Sequence, residues 1–143
     1  MKIEQTILDR ILDDMPLHPP EEGGIIGGKK GKVICWIHDK GSDECGCRYS
    51  PNIDKLNKTI SLWMENGYEF MGMVHVHFGN SRMLSEGDKK YIEKIVKAMP
   101  KFIDALYFPL VIQPEKEMIS YIAMREGNEV IIRQDEIFVV KDN

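Results

Sequence analysis

Three cysteines in 143 residues are too few, and odd in number, for a disulfide framework. No stretch approaches the ~20 consecutive apolar residues of a membrane span, so a membrane partner is not expected. The first ten residues, MKIEQTILDR, contain acidic side chains and no apolar core, which is not the pattern of a secretory signal, and the cytoplasm is the expected compartment. Positive charge is also in short supply. Lys and Arg number 19 against 23 Asp and Glu, a net charge of -4, and the lysines are scattered along the chain. A nucleic-acid phosphate backbone is therefore not an expected partner. Repeats, low-complexity tracts and linkers are absent, so residues 1-143 are expected to form a single domain. What remains is 43% apolar and 29% charged, the composition of an ordinary globular chain.

The cysteines divide into two kinds. Cys35 lies in the apolar run KVICWIH and reads as core. Cys45 and Cys47 form a lone Cys-x-Cys in a polar loop, where a structural zinc would need two more ligands and only His38 is near in sequence. They read as free thiols.

Periodicity places the elements. Ile3, Ile7, Leu8, Ile11, Leu12 and Met15 recur at helical spacing, and Pro16 ends that helix. IIGGKKGK reads as a strand entering a Gly-rich hairpin, with KVICWIH as its partner. Ser50 is placed to cap a second helix, with Pro51 at its first position and Ile53, Leu56, Ile60 and Trp63 as its apolar stripe. YEFMGMVHVHF is a strand, and a third helix runs from about Ser85 to Met99. Strands are expected near Leu106 to Ile112, Met118 to Met124, and Glu129 to Val140, the last with a break near Gln134. Helices mixed with hairpin-linked strands indicate an α+β or α/β sandwich.

The chemistry gathers in MVHVHFGNSRMLSEGD, Met73 to Asp88. Alternate residues of a strand share a face, so His75 and His77 project side by side, with Val74 and Val76 opposite. Two imidazoles on one strand make a bidentate metal clamp. A third ligand must come from elsewhere, and Asp88 in the first turn of the next helix is the candidate. Ser85 and Asp88 also form a capping box, which by itself accounts for that pair.

Taken together, the order and spacing of His-x-His, seven residues, then Ser-x-x-Asp, preceded by Glu21-Glu22-Gly23-Gly24-Ile25-Ile26, resemble the JAMM motif of the JAB/MPN+ zinc metalloprotease family. The resemblance extends over the element order from about Met1 to Met99. It implies a JAB/MPN-like (cytidine-deaminase-like) fold with a central mixed β-sheet flanked by helices. It implies a Zn2+ cofactor with His75, His77 and Asp88 as ligands, and catalytic roles for Ser85 as oxyanion donor and for a glutamate as proton acceptor. Glu21 or Glu22 supplies that carboxylate. The family's Glu-x-x-Gly register, met by Glu21 and Gly24, favours Glu21 and leaves Glu22 to face solvent. The implied activity is zinc-dependent hydrolysis of a peptide or isopeptide bond at the C-terminus of a ubiquitin-like or sulfur-carrier protein. A metal-free MPN-type binding scaffold is the alternative. Two positions depart from the pattern: Val76 stands where the family has Ser or Thr, and Phe78 where it has Pro.

Overall fold

The structure, a computed structural model, describes residues 1-41, 49-79 and 81-142. Cys45 and Cys47 lie outside the described residues. The chain forms β1 (Lys2–Glu4), α1 (Gln5–Asp14), β2 (Gly23–Lys29), β3 (Lys32–Asp39), α2 (Ile53–Glu65), β4 (Glu69–Phe78), α3 (Glu86–Ala98), β5 (Ala105–Tyr107), β6 (Leu110–Gln113), β7 (Glu117–Glu126), β8 (Glu129–Asp135) and β9 (Phe138–Val140). No helix of the described residues is long and apolar enough to cross a membrane.

All the strands of the described residues belong to one mixed sheet. β4 lies near its middle, antiparallel to β2 on one side and parallel to β5 and β6 on the other. β7 pairs with both β5 and β6, so these two occupy one strand position, the single strand expected from the sequence. The interruption falls at Phe108-Pro109, because proline has no N–H to give to a ladder. The break expected near Gln134 has a larger consequence. β8 pairs with β7 at one edge of the sheet, whereas β9 pairs with β1 at the other.

Three local expectations change. Residues Lys2–Glu4 are not the start of α1 but a strand, with Ile3 fully buried between β3 and β9. A three-residue strand is too short for periodicity to separate from the helix that follows it. The cap of α2 is Asn52, whose side chain accepts the Lys55 N–H, and not Ser50. Ser50 and Pro51 lie outside the helix. Cys35 is half-buried rather than in the core. The lysines are also less scattered than the sequence suggests, since Lys2, Lys29, Lys30, Lys32 and Lys141 line one shallow concavity with Glu4.

The core has two layers, one on each face of the sheet. Ile7 and Ile11 of α1, with Met15 just beyond its end, pack with Ile26, Trp36, Val74, Val76 and Val111. Leu56 of α2 and Ile92 and Val96 of α3 pack with Ile25, Phe70, Met73 and Leu106. Along β4 the alternation between these layers is reset once. Ile26 pairs with Gly72 and Gly27 with Phe70, so Met71 is an extra residue, a β-bulge. Phe70 and Met73 therefore share one layer, and Met71, Val74 and Val76 the other. Gly72 permits the bulge: its φ is 152°, and a Cβ there would stand 1.7 Å from the Tyr107 carbonyl oxygen. Without the extra residue, the odd-numbered positions that follow would turn toward α1. With it, His75 and His77 face α2 and α3.

Candidate metal centre

His75 and His77 stand at the end of β4, on the face opposite the fully buried Val74 and Val76. Their rings meet edge to face with centroids 4.9 Å apart, and their Nε2 atoms are separated by 3.2 Å. Asp88 comes from the first turn of α3. Its Oδ2 lies 3.2 Å from His77 Nε2 and 3.5 Å from His75 Nε2. Among the described residues, these three form the one group of His, Cys, Asp or Glu whose donor atoms all lie within 4.8 Å of one another.

The triangle can be tested for fit to zinc. Tetrahedral zinc with bonds of roughly 2.0–2.2 Å places neighbouring donors about 3.3–3.6 Å apart. Edges of 3.2, 3.2 and 3.5 Å match that spacing closely. Three protein donors of N, N and O type leave a fourth coordination position of a tetrahedral ion free, whereas a closed structural zinc site takes four protein ligands. The donors are also oriented from behind. His77 Nδ1 lies 3.2 Å from the Ser81 carbonyl oxygen, so the Nδ1–H donates there and Nε2 is the ring nitrogen turned toward the triangle.

The capping box of Asp88 and its place in the triangle are one arrangement. Ser85 Oγ accepts the Asp88 N–H at 3.0 Å, and Asp88 Oδ2 accepts the Ser85 N–H at 2.9 Å. Burial opposes charge on Asp88, but hydrogen bonds from His75, His77 and the Ser85 N–H outweigh it and hold its carboxyl well below the usual carboxylate range. Burial also opposes the protonated form of His77. The hydrogen bond and charge of Asp88, the Ser81 carbonyl and the charge of Glu21 together raise its pKa. The donor set is thus built around a carboxylate anion facing two imidazoles.

A cavity of about 340 Å³ opens beside the triangle, and His75, Asp88 and Glu21 all line it. Its remaining wall is largely apolar and aromatic, from Tyr49, Ile53, Tyr91 and Phe108. Glu21 therefore lies in the same cleft as the triangle. Glu22 does not face solvent as expected from the sequence. Its Oε1 lies 2.6 Å from His38 Nε2, and its side chain is 18% exposed. Ser85 is exposed and is not among the residues lining the cavity. Because its Oγ is engaged only as an acceptor, its hydroxyl hydrogen is left to donate.

Tyr49 and Asp39 were not legible as site residues. Asp39, only 2% exposed, accepts the Tyr49 hydroxyl at 2.7 Å and the Asn52 N–H at 3.0 Å. The Tyr49 ring in turn covers Gly23, where a Cβ would come within 2.6 Å of it. The one available signal, an aspartate closing an otherwise apolar strand, does not point to a tyrosine ten residues later.

No family profile and no curated protein matches the chain. Solved structures do. A protein of Desulfitobacterium hafniense, known from a solution structure, aligns with a TM-score of 0.71 at 16% identity, covering 99% of this chain and 93% of that one. A JAB1/MPN domain protein of Archaeoglobus fulgidus aligns with a TM-score of 0.56 at 23% identity, covering 98% of this chain and 99% of that one. Likeness at these identities concerns the fold. The chain has the JAB1/MPN fold, a central mixed sheet flanked by helices.

Proposed function

We infer that the chain is a zinc-dependent peptidase or isopeptidase of the JAMM type, with residues 1-143 as one catalytic unit. One observation carries this reading: donor atoms from two separate elements converge at zinc spacing beside a cleft that Glu21 also lines. His75, His77 and Asp88 would hold the ion. Bound there, zinc supplies a Lewis acid for the scissile carbonyl and brings the pKa of water toward ~7.

The remaining work falls to the chain's own groups. Glu21 accepts a proton from the attacking water and passes it to the departing amine. The Ser85 hydroxyl donates to the carbonyl oxygen as negative charge builds on it, with its Oγ steadied by the Asp88 N–H. The Ser81 carbonyl keeps His77 in the tautomer that a metal requires. Val76 is fully buried on the far face, so its departure from the family pattern touches no ligand.

The substrate assigned by the same reading is the C-terminal tail of a ubiquitin-like or sulfur-carrier protein, with no part for nucleic acid and with the cytoplasm as the working compartment. The test is zinc content measured beside hydrolysis of such a fusion protein. One zinc per chain with turnover that Glu21→Gln abolishes is the expected result. Zinc bound with no turnover of any fusion would favour a binding scaffold.

A further inference from the structure

The ladder that holds β2 ends at Gly23, paired with Asp39 on one side and His75 on the other. Glu21 lies two residues beyond that point, so strand pairing does not place it. Side-chain alternation nevertheless continues outward from the strand. On one side, a Cβ at Gly24 would meet the Trp36 ring at 2.6 Å, and Glu22 meets His38 at 2.6 Å. On the other side, a Cβ at Gly23 would meet the Tyr49 ring, and Glu21 lines the cleft with Tyr49. Trp36 and His38 are alternate residues of β3, their rings near parallel at 13° with centroids 6.2 Å apart. Trp36 is anchored in turn, its indole N–H donating to Asp14 of α1 at 2.7 Å.

We propose that His38 is a positioning residue, which by gripping Glu22 holds the extended backbone ahead of β2 and so directs Glu21 into the cleft. The inference rests on the assignment of Glu21 as proton acceptor. The physical basis is that two consecutive extended residues must project to opposite sides. Once Glu22 is tied to β3 on the α1 side, Glu21 has only the cleft side. If the tie is cut, two residues outside the ladder regain backbone freedom, and the carboxylate loses its fixed approach to the reacting water. Misplacement of a catalytic group by about 1 Å is enough to cost on the order of 100-fold in rate.

The experiment compares the full chain with His38→Ala, Glu22→Ala, the double variant and His38→Gln, which restores a donor near the Nε2 position. Backbone 15N relaxation of the metal-free proteins reads the order of Glu21. In His38→Ala its order parameter should fall from ~0.85 to below ~0.6, while Gly24 to Lys29 stay rigid. Zinc-reconstituted protein is then assayed on a ubiquitin-like protein carrying a fluorophore amide at its C-terminus. His38→Ala should keep one zinc per chain and lose roughly 10- to 100-fold in kcat with KM little changed. His38→Gln should recover most of that loss. The double variant should be no worse than either single one, because both singles break the same tie. Unchanged order at Glu21, or losses that multiply in the double variant, would overturn the proposal. The relaxation measurement needs neither metal nor substrate. If no form hydrolyses anything but Glu21 order still depends on His38, the tie stands and only the peptidase reading fails.

Discussion

One oxygen of Asp88 serves two structures at once: Oδ2 accepts the Ser85 N–H at 2.9 Å, closing the cap of α3, and stands 3.2 Å from His77 Nε2. The helix start and the candidate metal centre are therefore a single unit. The carboxylate is held in place before any ion binds, which reduces what binding must organise.

The first expectation is metal stoichiometry. Zinc-reconstituted protein should contain one zinc per chain by elemental analysis, and His75→Ala and His77→Ala should contain almost none. Asp88→Asn should lose zinc and also weaken the helix cap, at a cost of about 1 kcal/mol in chemical denaturation. Equal zinc in all four proteins would refute the triangle as a site.

Glu21→Gln separates the proton acceptor from the ligands. Gln keeps the shape of the side chain but cannot take a proton. Turnover should drop by ~10²–10⁴-fold, with zinc content and melting temperature nearly unchanged. A variant that hydrolyses normally would remove Glu21 from the mechanism.

Metal removal should stop hydrolysis while leaving the fold. The two core layers pack on opposite faces of the sheet, and neither is built from the ligands. After chelation the far-UV circular dichroism should be retained. Unfolding free energy should fall only by the linkage term, about 2.7 kcal/mol at a zinc concentration 100 times Kd, and the melting temperature should drop accordingly. Collapse of the circular dichroism signal would instead make the ion structural.

Gly72→Ala tests the bulge. The added Cβ would need the Tyr107 carbonyl to move from 1.7 Å, and that carbonyl is backbone in the adjacent strand. A loss of roughly 3 kcal/mol or more is expected in urea unfolding, well beyond an ordinary surface substitution. Zinc affinity should fall with it, because the face presented by His75 and His77 depends on that bulge. Wild-type stability in Gly72→Ala would show that the strand accommodates the methyl group.

Alkaline stability provides a fifth test, through the tyrosines of the cleft. Burial raises the Tyr91 pKa from 10.0 to about 12, with the charge of Asp39 adding to it. Tyr49 is raised further, by burial first and then by its hydrogen bond to Asp39. Both are neutral in the fold where the unfolded chain would already ionise. Their contribution is complete below pH ~10 and declines as the pH rises toward 12 and beyond, because the unfolded state then binds fewer protons. Tyr49→Phe should flatten that alkaline decline. At neutral pH it should cost about 1–3 kcal/mol by depriving buried Asp39 of a donor, as read from denaturation at several pH values. An unaltered pH profile would mean that Tyr49 ionises freely in the fold.

Much of the candidate site is legible before any coordinates. The interval between His77 and Asp88 is local, a strand end, a connection and a helix start, so residue order nearly dictates that these groups meet. The Ser85 cap and the shared face of His75 and His77 follow from the periods of helix and strand. Glu22 shows where such reading stops. Its partner, His38, is reached only through the β2–β3 register that pairs Gly24 with His38, and a hydrophilic residue before a strand otherwise reads as solvated. The β1 strand escaped for a similar reason. Ile3 fits the helical stripe equally well, and only its parallel pairing with β3 and β9 makes it a strand.

Local periodicity is enough to find the strongly patterned elements, and residue order is enough to name the candidate donors, because both are properties of neighbours along the chain. Tertiary pairing, in contrast, sets which face the histidines present, through the extra residue at the Gly72 bulge. It alone sent Glu21 to the cleft and Glu22 to His38, and it gathered lysines from positions 2, 29, 30, 32 and 141 at one end of the sheet. Each of these depends on strand register and on pairing between distant segments. Such pairings are set by burial of the whole sheet on both faces, an energy that no local window of residues contains.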